Sequence, residues 1–243
     1  MSGNNWTVTF QIYRQKGDQP PHFDRFTIAA SPDEYVLDGV ERVWAFHDRS
    51  LTFRHACHHS TCGACGMRVN GVEKLACITR IRDVARDGGT IKVEPLRNFP
   101  VVSDVVVDMS RLYAAMEQAS FCEVGPAEPV QGAGAGDGAA RYRRLADCIE
   151  CGLCMSACPV AGTAPSYLGP GVLAALQQGG LDDDGARALS DSQDGIWRCH
   201  SAFECAAACP SLVDPATRIM QARRQLVGAK VRRLFRPGKE PRR

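Results

Sequence analysis

Eleven of the twelve cysteines in this 243-residue chain fall into three tight groups, and any fold it adopts must bring those thiols together. Cysteine makes up about 5% of the residues, below the ~8–10% of short disulfide scaffolds, so spacing decides its use. The first group is Cys57-x4-Cys62-x2-Cys65-x11-Cys77. Three thiolates on one loop with a fourth from elsewhere is the spacing of a plant-type [2Fe–2S] site. Gly63 and Gly66 let backbone amides approach the cluster sulfurs, where hydrogen bonds help set the potential. A structural zinc site is the alternative, but zinc motifs usually pair two short-spaced ligand sets, and here three cysteines crowd into nine residues. His58 and His59 read as solvent-facing loop residues, since a Rieske-type centre would need two histidines in place of two of the thiolates.

The second group, Cys148-x2-Cys151-x2-Cys154-x3-Cys158-Pro159, is the run of bacterial ferredoxins, whose fourth cysteine serves the other of two clusters. Its partner is Cys199-x5-Cys205-x3-Cys209-Pro210, which matches the same template at the first, third and fourth positions and has Ala202 at the second. Exchanging the fourth cysteines assigns Cys148, Cys151, Cys154 and Cys209 to a [4Fe–4S] cluster. Cys158, Cys199 and Cys205 remain for a site one ligand short. A cubane iron without a ligand is easily lost, so that site reads as [3Fe–4S]; a [4Fe–4S] centre with water or a foreign ligand at the open corner is the alternative. Cys122 fits no spacing and reads as a thiol without a cofactor role.

Apolar residues at 44%, charged residues at 23% and a net charge of +2 describe an ordinary globular chain, with no electrostatic reason to expect a nucleic-acid partner. Residues 1–12 lack the features of a secretory signal, and the most apolar stretch, Val101 to Met109, is interrupted by Ser103, Asp104 and Asp108. The expectation is an intracellular chain that does not cross a membrane, in which thiols stay reduced and serve metal or redox chemistry.

Alternation at Trp6, Val8, Phe10 and Ile12, and again at Phe26 and Ile28, predicts two paired strands. Ser31, Pro32 and Glu34 predict a helix N-terminus, with the helix running to about His47. Asn70-Gly71 predicts a tight hairpin between Met67–Val69 and Val72–Cys77, with a last strand over Ile91–Val93. Val101 to Gln118 reads as a helix, and Gly125 to Ala140 as a linker. The remainder offers short helical patches such as Val172–Gln177 and Thr217–Val227. The class is α+β: a [2Fe–2S] domain over 1–120, a linker over 121–140 and an all-α domain over 141–243. Three one-electron centres without a Gly-x-Gly-x-x-Gly fingerprint imply a wire whose donor, such as a flavin, and whose acceptor lie on partner subunits.

At these residues the chain resembles the iron–sulfur subunit of succinate dehydrogenases and fumarate reductases over nearly its whole length. The resemblance rests on Leu51-Thr-Phe-Arg54, Cys62-Gly-Ala-Cys65-Gly66, Pro95-Leu-Arg-Asn-Phe-Pro100 with Asp104 and Asp108-Met109, and Cys148-Ile-Glu-Cys151-Gly-Leu-Cys154. Ser192-Gln-Asp-Gly-Ile-Trp-Arg-Cys199 and Val213-Asp-Pro215 are closer to the fumarate-reductase branch. It implies a β-grasp ferredoxin domain followed by an α-helical ferredoxin domain, with [2Fe–2S], [4Fe–4S] and [3Fe–4S] clusters in order. It also implies an FAD-containing flavoprotein subunit against the first domain and membrane-anchor subunits presenting a quinone to the second, on the cytoplasmic side of the membrane. Pro159, His200 and Arg223 fall where such subunits line the quinone pocket; for His200 the alternatives are a donor to a cluster sulfur or a solvated loop residue. Thr163 and Arg223 stand where ubiquinone-using relatives commonly have tryptophan and lysine. From Arg218 to Arg243 there are ten lysines and arginines against the single acid Glu240, which reads either as a solvated end or as a surface for anchor subunits or anionic headgroups. Trp197 reads as packing that shields a cluster. Two rivals stay open: a subunit of a soluble fumarate reductase, and a structural or redox-sensing protein held together by its metals.

Overall fold

The computed structural model describes residues 5–120, 148–181 and 184–235; Cys122, the linker and the last eight residues lie outside them. Five strands, β1 (Trp6–Arg14), β2 (His22–Ala30), β3 (Gly66–Val69), β4 (Val72–Leu75) and β5 (Thr90–Glu94), form one sheet in the order β2-β1-β5-β3-β4. All pairs are antiparallel except β1 with β5, the parallel contact at the centre of a β-grasp sheet. Period-two alternation turns Val8, Phe10 and Ile12 of β1 fully into the core. Helix α1 (Val36–Phe46) covers that face, and Gly39 permits it: a Cβ there would lie 2.1 Å from Phe10 Cζ; a one-turn helix, α2 (Ile81–Val84), follows β4.

Two sequence expectations are corrected here. Helix α1 starts after Tyr35, not at Ser31, because Val36 N–H donates to Thr79 O at 2.8 Å and Tyr35 bridges Arg80, which keeps the preceding residues out of the helix. Asp38 accepts from Tyr35 N–H at 2.9 Å, whereas Ser31 and Glu34 close a turn ahead of the helix. The expected helix over Val101–Gln118 is in part a hairpin, β6 (Val101–Ser103) and β7 (Val106–Val107), and helix α3 (Ser110–Ser120) begins only afterwards. The β-branched valines favour strand, and Asp104, in the left-handed region at φ 49°, turns the chain between them.

Asp104 is fully buried and explains that turn. Its carboxylate accepts from Gln15 N–H (3.1 Å), Thr52 N–H (2.8 Å) and Arg14 Nε (3.2 Å), and Lys16 Nζ lies 2.9 Å away. Burial alone would raise the Asp104 pKa, but Lys16, the two amides and Arg14 together hold it below the usual range. Arg14 also pairs with Asp24 and Asp48 and donates to Ser50 Oγ, so one cation pins β1, β2 and the segment from Asp48 to Thr52 that leads into the first cysteine loop.

The helical part comprises α4 (Leu153–Ala157), α5 (Pro159–Thr163), α6 (Pro170–Gly179), α7 (Asp184–Ser190), α8 (Glu204–Ala207) and α9 (Pro215–Leu234). Val172 to Leu176 of α6 have no exposed surface, which makes α6 the central helix; α9 packs on it, and so does α3 from the first half. The segment after β5 clamps the two halves: Asn98 Nδ2 donates to the carbonyls of Met155 (2.8 Å), Ser156 (3.1 Å) and Cys158 (2.9 Å). Ser156 Oγ donates to the buried Glu73 at 2.9 Å and accepts from Arg97 N–H at 2.9 Å.

Replacing Asp104 with alanine leaves the Gln15 and Thr52 amides without their buried acceptor while Arg14 keeps Asp24 and Asp48, and each buried donor left unsatisfied costs about 1–3 kcal/mol in chemical denaturation. Asp48 is held at about 2, below its ordinary 3.8, first by Ser50 and then by Arg14. Its contribution to stability is therefore complete above pH 3.8 and is lost as pH falls through about 2. Asp48→Asn is expected to flatten that acid limb in a pH series of unfolding midpoints.

Candidate metal centres

Three loops gather the thiols, and each uses backbone that few residues adopt. Between α1 and β3, His58, Ser60 and Gly63 all have positive φ, 59°, 62° and 70°. These turns bring amides onto sulfur: Ser60 N–H donates to Cys77 Sγ and Cys62 N–H to Cys57 Sγ, both at 3.4 Å. Cys77 arrives on the 3₁₀ turn Ala76–Ile78, because β4 stops at Leu75 rather than continuing to Cys77 as its sequence predicts. The His59 and Cys62 amides hold the Cys57 thiol down to about 6, while burial pushes Cys65 up to about 12. The rim thus favours thiolate and the buried side forbids it without a counter-charge, the electrostatics of a site completed by metal.

A second cavity is lined by Cys148, Cys151, Cys154 and Cys209 on a mostly apolar wall that includes Leu112, Ile149 and Val213. Burial, then the neighbouring thiols, pushes Cys151 up to about 11 and Cys154 well above its ordinary value. Gly171 leaves room at the thiol, since a Cβ there would lie 3.4 Å from Cys154 Sγ. A third cavity is lined by Cys158, Cys199 and Cys205, with Ala202, Pro159, His200 and Tyr167. Burial pushes Cys205 up to about 12, and Ser201 N–H donates to Cys199 Sγ at 3.4 Å.

The structure therefore divides the two C-terminal groups across, with Cys209 beside the first three of the 148–158 run and Cys158 beside Cys199 and Cys205. Four thiolates on one Zn²⁺ at ~2.3 Å would stand roughly 3.8 Å apart. Among the described residues, no three cysteine sulfurs lie within 4.8 Å of one another, a wider spread than one tetrahedral Zn²⁺ needs.

The exposed Pro159 and His200 border the third cavity. Arg223 stands behind it and is fully engaged: Nη2 donates to Ile196 O (2.8 Å) and Cys199 O, and Nη1 to Ser201 Oγ (3.1 Å). Trp197 does not shield a cluster. It is exposed, donates to Asp191 at 2.6 Å and carries Lys230 Nζ over its ring at 5.1 Å. Sequence reading missed Tyr167, which is fully buried against the third cavity with its hydroxyl toward the Cys199 thiol. No spacing marks it; only the fold brings it to Cys158 and Cys199.

Comparison with known proteins agrees with this geometry. Residues 9–114 match the 2Fe-2S iron-sulfur cluster binding domain, and residues 144–213 the 4Fe-4S dicluster domain. The fumarate reductase iron-sulfur subunit of Mycobacterium tuberculosis is 37% identical over 222 residues, covering 86% of this chain and 87% of that one. The chain belongs to the iron–sulfur subunits of fumarate reductases and succinate dehydrogenases. The fumarate reductase subunit of Haemophilus influenzae is 33% identical across 87% of this chain and 89% of its own, and a rice mitochondrial succinate dehydrogenase subunit is 30% identical across 86% and 72%. In fold, a chain of the Mycobacterium smegmatis Sdh1 complex matches with a TM-score of 0.76 at 23% identity, covering 96% of this chain and 99% of that one.

Within this iron–sulfur subunit, the first cysteine loop meets the second at Gly63, where a Cβ would stand 2.8 Å from Cys151 Cβ. Gly63→Ala is expected to lower iron content and thermal stability together. Gly17→Ala, also at positive φ but with nothing within 4 Å, carries only the backbone strain, so iron content measured on both variants isolates the cost of the contact.

Proposed function

We propose that the chain carries electrons, one at a time, between the FAD of a flavoprotein subunit and a membrane quinone, as the iron–sulfur subunit of a succinate:quinone oxidoreductase. The observation that carries the reading is the division of eleven thiols into sets of four, four and three, with Ala202 at the wall where a twelfth would complete the last. Cys57, Cys62, Cys65 and Cys77 would hold [2Fe–2S]; Cys148, Cys151, Cys154 and Cys209 would hold [4Fe–4S]; Cys158, Cys199 and Cys205 would hold [3Fe–4S]. The bound clusters supply reversible one-electron storage at potentials set by charge, hydrogen bonds and solvent access. The chain supplies the rest: amides on Cys57, Cys77 and Cys199, an apolar wall around the second set and a buried hydroxyl beside the third.

Pro159 and His200, exposed at the rim of the third cavity, are the residues we place beside the quinone, and Arg223 acts from behind by holding the Cys199 loop. Two modules, 1–120 and 141–243 with a linker over 121–140, serve the two ends. No helix among the described residues is long and apolar enough to cross a membrane. On α9 the exposed Val227, Val231 and Leu234 recur at helical spacing beside Lys230 and Arg232, a face suited to anchor subunits and headgroups of a peripheral, cytoplasmic-side attachment. This face favours a membrane partner over the soluble fumarate reductase.

EPR of anaerobically purified protein, with iron quantified on the same sample, tests the reading. The expected result is an oxidised [3Fe–4S] signal that disappears early in reduction and a [2Fe–2S] signal that appears later. Ala202→Cys is expected to replace the oxidised signal with that of a second, lower-potential cubane; zinc in place of iron, or an unchanged spectrum in the variant, would sink the assignment.

A further inference from the structure

Glu41 on α1 meets two histidines that flank Cys57, His55 just before the first cysteine loop and His58 just inside it. Glu41 Oε1 lies 2.9 Å from His55 Nδ1 and 3.3 Å from His58 Nε2, and the two nitrogens are 3.4 Å apart. Nitrogen and oxygen donors about 2.0–2.2 Å from one ion, in tetrahedral or octahedral geometry, are separated by roughly 2.9–3.5 Å. All three edges of this triangle fall in that range.

A second observation distinguishes coordination from ordinary pairing. Glu41 Oε1 is shut off from solvent, yet neither imidazole contact has the direction of a hydrogen bond, which leaves a buried carboxylate oxygen without a donor among the described residues. Such an oxygen is costly unless a cation completes it. The rings are also held: Phe53 stacks on His55 with centroids 5.1 Å apart and planes at 22°, and His55 and His58 stand edge to face at 88°. Both histidines remain 44% exposed on their side chains, so water has access to the open coordination positions.

We propose that Glu41, His55 and His58 form a surface site for a first-row divalent cation of the zinc class, separate from the cysteine sites. Two imidazoles and one carboxylate suit Zn²⁺ and its transition-metal neighbours and disfavour Mg²⁺ and Ca²⁺, which prefer all-oxygen sets. The donor set, three protein ligands with open positions, is that of an accessible site rather than a closed structural one.

Untagged holoprotein, stripped of loosely held metal, would be dialysed against Zn²⁺ with and without excess Mg²⁺, with zinc and iron quantified in the same samples. One zinc per chain with all iron retained, undiminished by Mg²⁺, is expected. Glu41→Gln, His55→Ala and His58→Gly, the last keeping the left-handed backbone, are each expected to weaken uptake at least about tenfold. Glu41 lies outside the cysteine loop, so its variant decides the matter if a histidine variant loses iron. No zinc uptake, uptake matched by iron loss, or variants that bind like the parent would overturn the site.

Discussion

A desolvated thiol cannot become a thiolate on its own, and the architecture follows from that. Cys65, Cys151, Cys154 and Cys205 are all pushed upward by burial, so the sites that hold them are incomplete until a metal supplies the opposing charge. The fold answers with short helices and left-handed turns instead of long regular elements around the sulfurs. Regular structure would consume the amides that instead reach Cys57, Cys77 and Cys199.

Rigidity comes from polar groups outside the cysteine loops. Asp104 and Arg14 tie the strand ends to the chain that enters the first loop, and Asn98 and Glu73 bind α4 from the opposite half. Both networks are buried and largely satisfied, which makes them specific to one arrangement in a way that apolar packing alone is not. The carbonyls that Arg223 gathers from Ile196 and Cys199 do the same for the last loop.

The sheet and the two domain types were legible because period-two alternation and cysteine spacing are local signals. Cys209 lines the same cavity as Cys148, Cys151 and Cys154, the juxtaposition that the template's exchange of its fourth cysteine leads one to expect. What failed depended on distant partners. Asp104 looks in sequence like an interruption of a helix, and only its contacts to Gln15 and Thr52, far away in the chain, make it a turn. Ser31 and Glu34 form a plausible cap until Thr79 and Arg80 claim the residues that follow. Tyr167 and the Glu41–His55–His58 triangle carry no motif and exist only once the chain is folded.

The close approach at Gly63 has a kinetic meaning. Electron exchange between two centres weakens steeply with the gap between them, and here the first and second cysteine loops touch backbone to side-chain root, with no room for even one methyl group at Gly63. The spacing is therefore fixed by the smallest side chain available, and relative motion of the halves is resisted by the Asn98 clamp beside it. A side chain at this seam would have to push the two cysteine loops apart, so the separation of the first and second sites is set at a glycine.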